Sequence, residues 1–416
     1  LGLQMYKTFF YHKEFLKKIL QSPKRALFKC RLQLRELVTF VSMRQKRVYM
    51  TVSSDLATDN RVHRSCSLLT ELNYEVILLG RCKKTSPPMS PRDYSVKRFN
   101  LIFEKSALFY AALNVRFFLF LLFKRADYIF ANDLDTLPSA YLISKIKRIA
   151  IIYDSHELFT ETPELVNRPH IQNFWLRIER FILPRLKQMI TVNTSIAEIF
   201  SKKYQLQTYV VRNVPARIEG LQALSKKALG LKEDERMLII QGSGLNIQRG
   251  IEEAIMAMQF IDRAKLFLVG SGDVLGKAKT LVLEYQLSNK VIFIDRLPYG
   301  QLMQYTAAAD LGLALDKPLS INYQLALPNK VFDYIQAHTP ILCSQLIEIE
   351  NIIRKYDCGV VISNINPEEI AKEVNKLLCN LDELNRLKNN CINAAQIEHW
   401  EKDKQVLTDL VLSVFI

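Results

Sequence analysis

The chain has 416 residues, 49% hydrophobic and 24% charged, with a formal net charge of +15. That length allows two domains of about 150–200 residues, each with its own core. No stretch reaches about 18 uninterrupted apolar residues, which argues against a transmembrane helix. The seven cysteines and six histidines show neither CxxC nor HxxxH spacing, which points to reduced thiols and away from a metal site.

The charge is unevenly placed. Residues 1–47 hold twelve Lys and Arg against Glu14 and Glu36, a net +10, and leave only +5 to the other 369 residues. This basic extension, residues 1–46, lacks the apolar core of a signal peptide. Phe15, Leu16, Ile19 and Leu20 lie beside Lys13, Lys17 and Lys18. Two readings stand: an amphipathic helix for an anionic membrane surface, or a solvated extension. Met43 precedes the first clear strand, so part of 1–42 is open to being a start-site artefact.

Apolar β-branched residues predict a strand over 47–52, followed by a polar loop, a helix over 60–72 with Asn73 as its stop, and a strand over 75–79. That is a βαβ unit, hence a parallel sheet with a right-handed crossover. ALFYAALNVRFFLFLLF, residues 107–123, reads as a buried helix or as a monotopic membrane patch. Alternation continues with strand 128–130, helix 137–147 and strand 149–153. A polar and aromatic stretch, 154–175, interrupts it. A helix over 176–187, a strand over 189–192 and a helix over 196–203, capped by Thr194-Ser195, close a first domain over 47–205.

Residues 206–230 read as a linker. The pattern restarts with strands over 237–241, 265–269, 291–294, 311–315, 341–343 and 359–362, separated by helices, in a second domain over 231–395. A C-terminal helix lies within 396–416. The fold class is therefore α/β: two doubly wound Rossmann-like domains facing a central cleft, with ligands at the carboxyl ends of the strands.

Several motifs fall at those ends. QGSGLNIQRG, residues 241–250, joins a strand to a helix: Gly242 and Gly244 permit close backbone approach, and Arg249 can clamp a phosphate. Ile247 stands where GxGxxG needs its third glycine, which disfavours a nicotinamide enzyme. Gly270-Ser271-Gly272-Asp273 repeats the theme. Asp154-Ser155-His156-Glu157 and Asn132-Asp133-Leu134-Asp135 place a histidine and carboxylates beside the first domain's cleft, as catalytic groups or as caps. Asp59 and Arg61 line the acceptor side, or else cap a helix and form a surface pair. In SINYQLALPNKVFDYIQAHTPIL, residues 320–342, Pro328 opens a helix whose first N–H groups and dipole favour an anion, with Asp333 close behind. Together these suggest a nucleotide-sugar diphosphate.

From Val48 onward the chain resembles the GT-B glycosyltransferases of family 4, the bacterial cell-surface polysaccharide type. DNRVHRSCSLLTELNYEVILLG, ANDLDTLPSA, YDSHELFTETPE, QGSGLNIQRGIEEAI, LFLVGSGD, LPYGQLMQYTAAADLGLAL and NYQLALPNKVFDYIQAHTPIL carry the likeness. The resemblance implies retaining transfer from a nucleotide-diphosphate sugar to a lipid-linked or polysaccharide acceptor, without a metal cofactor. It implies His156, Arg249 and Asp333 as catalytic residues. It implies donor contacts at Gly242, Ser243, Gly244, Gly272, Arg296, Leu297, Asn322, Tyr323, Pro328, Asn329, Lys330 and Val331, and acceptor contacts at Asp59, Arg61, Asp133 and Glu157. Two departures stand out: Leu325 occupies the first position of the family's paired acids, and Ser243 replaces a phosphate-binding cation. The alternatives are a sugar-nucleotide 2-epimerase of the same fold, or a non-catalytic binding or scaffold protein of that ancestry. The implied location is cytoplasmic, peripheral at the inner membrane face. No nucleic-acid motif accompanies the basic N terminus.

Overall fold

A computed structural model describes residues 44–415 apart from 58, 84, 85, 87, 105 and 243. The amphipathic helix expected within the basic extension lies outside the described residues. So does Ser243.

The first domain is built on seven parallel strands. In chain order its elements are β1 (Arg47–Asp55), α1 (Asn60–Glu71), β2 (Glu75–Cys82), β3 (Ser95–Asn100), α2 (Ser106–Leu122), β4 (Tyr128–Asn132), α3 (Leu137–Lys147) and β5 (Ala150–Ser155). Then come a short helix α4 (Pro163–Val166), α5 (Pro169–Ile182), β6 (Gln188–Thr191), α6 (Thr194–Tyr204) and β7 (Gln207–Val210). The strand order is β3-β2-β1-β4-β5-β6-β7. Val48, Tyr49, Met50, Thr51 and Val52 are all buried, as a central parallel strand covered on both faces requires.

The second domain runs β8 (Arg236–Gly242), α7 (Ile251–Ala257), β9 (Ala264–Gly270), α8 (Leu275–Glu284), β10 (Val291–Ile294), α9 (Tyr299–Ala308) and β11 (Leu311–Ala314). It continues α10 (Ile321–Gln324), α11 (Asn329–Gln336), β12 (Ile341–Ser344), α12 (Ile347–Tyr356), β13 (Gly359–Ile362), α13 (Pro367–Cys379) and α14 (Leu381–Ala395). Its six strands are parallel in the order β10-β9-β8-β11-β12-β13. In both sheets the order reverses beside the first strand, and loops leaving the carboxyl ends there form a ligand crevice.

The last helix, α15 (Trp400–Val414), belongs to the first domain. Leu407, Leu410, Val411 and Phe415 enter the cluster that holds Val48, Met50 and Phe130. Phe415 stacks on Tyr128 at 4.1 Å. The chain therefore crosses between domains twice. Arg212 fastens the two crossings, its Nη2 lying 2.8 Å from Asp403 Oδ2 while Nη1 bonds Glu398.

Four local features differ from expectation. Residues 207–210 form the edge strand β7, so the first domain extends past 205. β3, SVKRFN, alternates exposed and covered positions at the other edge, which hid it among charges. α5 starts at Pro169 rather than near 176, with proline in the first-turn position that needs no N–H. Asn193, not Thr194 or Ser195, caps α6 by accepting from Ile196 N at 2.9 Å.

Candidate functional site

On the first-domain side, β4 and β5 deliver Asp133 and Asp154-Ser155-His156-Glu157 to one point. Asp133 sits in the left-handed region at φ 60. This turn lets its carboxylate hold His156 twice: Oδ1 accepts from the backbone N at 2.9 Å and Oδ2 lies 3.0 Å from Nδ1. His156 Nε2 lies 3.4 Å from Asp154 Oδ2 but makes no hydrogen bond. Burial opposes charge on this imidazole, yet the Asp133 and Asp154 carboxylates outweigh it and raise its pKa well above the ordinary value. The cationic ring is thus fixed between two carboxylates, by Asp133 at Nδ1 and with its buried Nε2 turned toward Asp154, and carries positive charge at the strand ends.

Carboxyl groups around that ring divide by environment. Asp154 is buried, which would raise its pKa, but Arg61 and His156 hold it below the usual range. Glu157 is pushed up to about 7 by burial and then by Asp133, against the hydrogen bond from Asn322. Asp135, buried with Asp133 beside it, also rises to about 7. These shifts mark the strand ends as a candidate functional site.

On the second-domain side, Arg249 Nη1 lies 2.5 Å from Asp316 Oδ1, and Lys330 Nζ lies 3.5 Å from Oδ2 of the same carboxylate. Asp316 is 1% exposed. Burial would raise its pKa, but Lys330 and Arg249 lower it. Two cations thus share one anion, a surplus of one positive charge beside the Gly242–Gly244 loop. The Arg249 guanidinium also stacks 4.7 Å from the Tyr323 ring, which fixes its plane. Pro328 caps α11, and the helix's first amides, at Asn329 and Lys330, have no partner within the helix. Asp333 accepts from Tyr299 Oη at 2.9 Å and Gln241 Nε2 at 3.2 Å. Burial pushes its pKa up to about 6 against those bonds.

The glycines separate by what surrounds them. A Cβ on Gly244 would meet Asn246 Nδ2 at 3.8 Å, an ordinary contact, so crowding does not require that glycine, whereas Gly242 at φ 147 needs glycine for its backbone. A Cβ on Gly272 would sit 1.9 Å from Leu245 O, so packing explains that glycine without a ligand.

Other expected residues are committed elsewhere. Arg61 does not line the acceptor side: its guanidinium is buried against Asp154 at 2.6 Å and donates to Val211 O. Asp59 caps α1 through Val62 N and accepts from Ser54 Oγ. Asn322 bridges the domains, accepting from Leu158 N at 2.9 Å and donating to Glu157 Oε2 at 3.0 Å, so neither polar end is left over for a donor. Val331 is wholly buried in the second core, and Leu297 packs against it. Arg296 is exposed beyond β10. Leu325 is buried among first-domain apolar residues, its carbonyl held by Asn193 Nδ2 at 2.7 Å. That site faces the neighbouring domain, where a carboxylate would be desolvated. Sequence reasoning passed over Asp316, Gln241 and Tyr299; the available signal was an aspartate two residues past a buried strand, in LALDKP.

Comparisons with known proteins agree with this layout. Residues 222–395 match the family Glycosyl transferases group 1, and residues 59–214 match Glycosyltransferase Family 4. Over 158 residues the chain is 28% identical to an uncharacterised glycosyltransferase of Methanocaldococcus jannaschii, a match covering 37% of this chain and 38% of that protein. Among solved structures, sucrose-phosphate synthase from Thermosynechococcus elongatus is similar with TM-score 0.75 at 16% identity, covering 89% of this chain and 99% of the other. Anabaena HepE in complex with UDP is similar with TM-score 0.68 at 15% identity, covering 89% and 100%. WaaG, a glycosyltransferase involved in lipopolysaccharide biosynthesis, is similar with TM-score 0.66 at 16% identity, covering 88% and 99%.

Proposed function

This chain belongs to the GT-B glycosyltransferases of group 1 and family 4, and from that membership we propose retaining transfer of a sugar from a nucleoside diphosphate sugar. The acceptor is a hydroxyl of a lipid-linked saccharide or polysaccharide, in cell-surface glycan synthesis at the cytoplasmic membrane face. The observation that carries the donor assignment is the shared carboxylate: Asp316 is flanked by Arg249 and Lys330, leaving positive charge where a helix N-terminus and a glycine loop meet. A diphosphate satisfies all three. The UDP and UDP-glucose found with HepE agree with this donor class, and the lipopolysaccharide role of WaaG agrees with the acceptor class.

In this reading the diphosphate lies against Arg249, Lys330 and the first amides of α11, and Asp333 accepts from the ribose hydroxyls. The bond between the anomeric carbon and the phosphate oxygen breaks. The acceptor oxygen bonds to the same face of that carbon, and its proton leaves with the phosphate. Arg249 and Lys330 stabilise the charge that grows on the leaving group, the largest single contribution such a site can make. These two cations are proposed to serve without a metal. His156 places its positive charge beside the transferred sugar, and Asp133 fixes its ring. Glu157 and Asp133 border the acceptor.

Thermal-shift screening against UDP-, GDP- and ADP-sugars tests the donor, since a ligand held at about 100 times its Kd adds about 2.7 kcal/mol to the folded state. Product analysis by NMR then reads the anomeric configuration. If Arg249→Ala and Asp333→Ala both transfer sugar as well as the parent, the assigned donor site is wrong. Conversion of donor without acceptor identifies a 2-epimerase instead.

A further inference from the structure

Each carboxylate oxygen of Asp333 accepts a hydrogen bond, and the two donors differ in how firmly they are held. Gln241 donates to Oδ2 from Nε2 at 3.2 Å. It lies on β8 and is 1% exposed. Its amide oxygen accepts from Thr306 Oγ1, which turns the NH2 group toward the carboxylate. Thr306 is itself buried, with its carbonyl accepting from Thr339 Oγ1 at 2.7 Å. This first donor is part of the second-domain core.

The other donor is Tyr299, whose phenol reaches Oδ1 at 2.9 Å. Tyr299 is 42% exposed. It is the first residue of α9, a helix whose N-cap, Pro298, supplies no side-chain bond. Gly300 follows, and a Cβ there would meet nothing within 4 Å. Open space therefore adjoins the root of the ring. A turn about the Tyr299 side-chain torsions breaks this bond and uncovers Oδ1.

Burial and the Asp333 carboxylate push the Tyr299 pKa up, so the phenol keeps its proton. It is a neutral O–H donor to a carboxylate oxygen, which is also the chemistry of a ribose hydroxyl. Exchanging one such bond for another is close to neutral. A hydroxyl that meets a carboxylate oxygen with no other partner gains the whole of a charge-assisted bond. Arg64 of α1, a first-domain cation, acts electrostatically on both Tyr299 and Asp333, so the exchange takes place at the boundary between domains.

We infer that Tyr299 is a specificity-determining residue of the donor site: its phenol fills the seat of one ribose hydroxyl on Asp333, and a ribonucleotide takes that seat by displacing it. The inference rests on the donor reading, in which Asp333 faces the ribose. Gln241 keeps Oδ2 and holds the plane of the carboxylate while Oδ1 changes partner. Ribose hydroxyls then add little to nucleotide affinity in the parent, because one O–H replaces another. Without the phenol they count in full.

The test compares UDP with 2′,3′-dideoxy-UDP by isothermal titration calorimetry on the full chain. It is run at about pH 8.5, where the Asp333 carboxyl, pushed up to about 6, is ionised. In the parent the two dissociation constants are expected to lie within about threefold of each other. In Tyr299→Phe, which keeps the ring and loses the hydroxyl, UDP is expected to bind about tenfold tighter or more while the dideoxy analogue is unchanged. Tyr299→Ala is expected to shift the preference toward UDP in the same direction, and Asp333→Ala added to Tyr299→Phe to abolish the gain. A Tyr299→Phe preference within about twofold of the parent's overturns the inference. So does a preference that falls, which makes Tyr299 a residue that positions Asp333 for the ribose. Equal weakening of both nucleotides in Tyr299→Ala assigns the ring to packing on the nucleotide and also overturns it. A gain that persists without Asp333 puts the ribose elsewhere and removes the Asp333 reading as well. If the parent binds UDP, Arg249→Ala loses it and Tyr299→Phe gains nothing, the inference fails alone. If the parent binds none of UDP, GDP and ADP, the donor reading fails with it.

Discussion

Replacing Asp316 by asparagine removes one charge from the centre of the donor site without changing its shape. Arg249 and Lys330 then face each other across a neutral amide, in the places now 2.5 and 3.5 Å from the carboxylate. Removing one partner of a buried ion pair costs about 3–5 kcal/mol. The Arg249 and Lys330 side chains keep 23% and 10% exposure, so water offsets part of that, and a loss of about 2–4 kcal/mol is expected. For a unit the size of the second domain each kcal/mol moves Tm by about 2–4 °C, so the unliganded protein should melt roughly 4–16 °C lower. Bound UDP supplies the missing negative charge. The rise in Tm on adding saturating UDP should therefore be larger in Asp316→Asn than in the parent. Differential scanning fluorimetry of both proteins, with and without UDP, decides it. An unchanged unliganded Tm, or a smaller UDP-induced rise than the parent's, refutes the shared-carboxylate argument.

Other outcomes follow from the same geometry. Arg249→Ala should lower kcat by about 100–1,000-fold, because it removes a contact that strengthens as the diphosphate leaves; steady-state kinetics checks this. Glu157, ordinarily near 4.5, is raised to about 7 in the folded chain, so the folded state holds the proton that the unfolded chain releases. Its ionisation therefore destabilises the fold progressively from about pH 4.5 to 7 and fully above that. Glu157→Gln should be more stable than the parent at pH 8, by about 1–3 kcal/mol, and should lose that advantage below about pH 4.5; urea titrations across pH measure it. Leu325→Glu, which would restore the missing family acid, should destabilise the fold by roughly 2–5 kcal/mol, because the carboxylate enters an apolar contact between domains. It should bring no gain in transfer rate. Gly272→Ala should be strongly destabilising and Gly244→Ala mild, as the Cβ clearances of 1.9 and 3.8 Å require; chemical denaturation separates them.

Much of this fold was legible because period and punctuation agree along the chain. The helix over 137–147 and the strands over 291–294 and 359–362 stand where the pattern put them. β3 was lost because an edge strand tolerates SVKRFN, whose charges read as loop. The site was legible only in part. Arg249, Lys330 and Asp333 announce themselves through loop glycines and a helix start. The partners that define Arg61 and Asn322 lie 93 and 165 residues away in Asp154 and Glu157. Nothing local to either residue reveals that pairing, so each looked available for a ligand. Asp316 was missed for a related reason: its meaning comes from two cations, one on each side of it in sequence, that only the folded sheet brings together.

Helix α15 imposes an order on biosynthesis. The strands of the first sheet leave the ribosome early, and one face of that sheet waits for Leu407, Leu410, Val411 and Phe415. About 200 residues separate β7 from α15. At roughly 5–20 residues per second, the part of that face that α1 leaves to α15 remains uncovered for about 10–40 s while the second domain is made. The second domain can close its own core in that interval. The domain translated first is therefore the one completed last, and a nascent chain stalled before residue 400 would present the part of that face around Tyr128, β5 and β7 to chaperones.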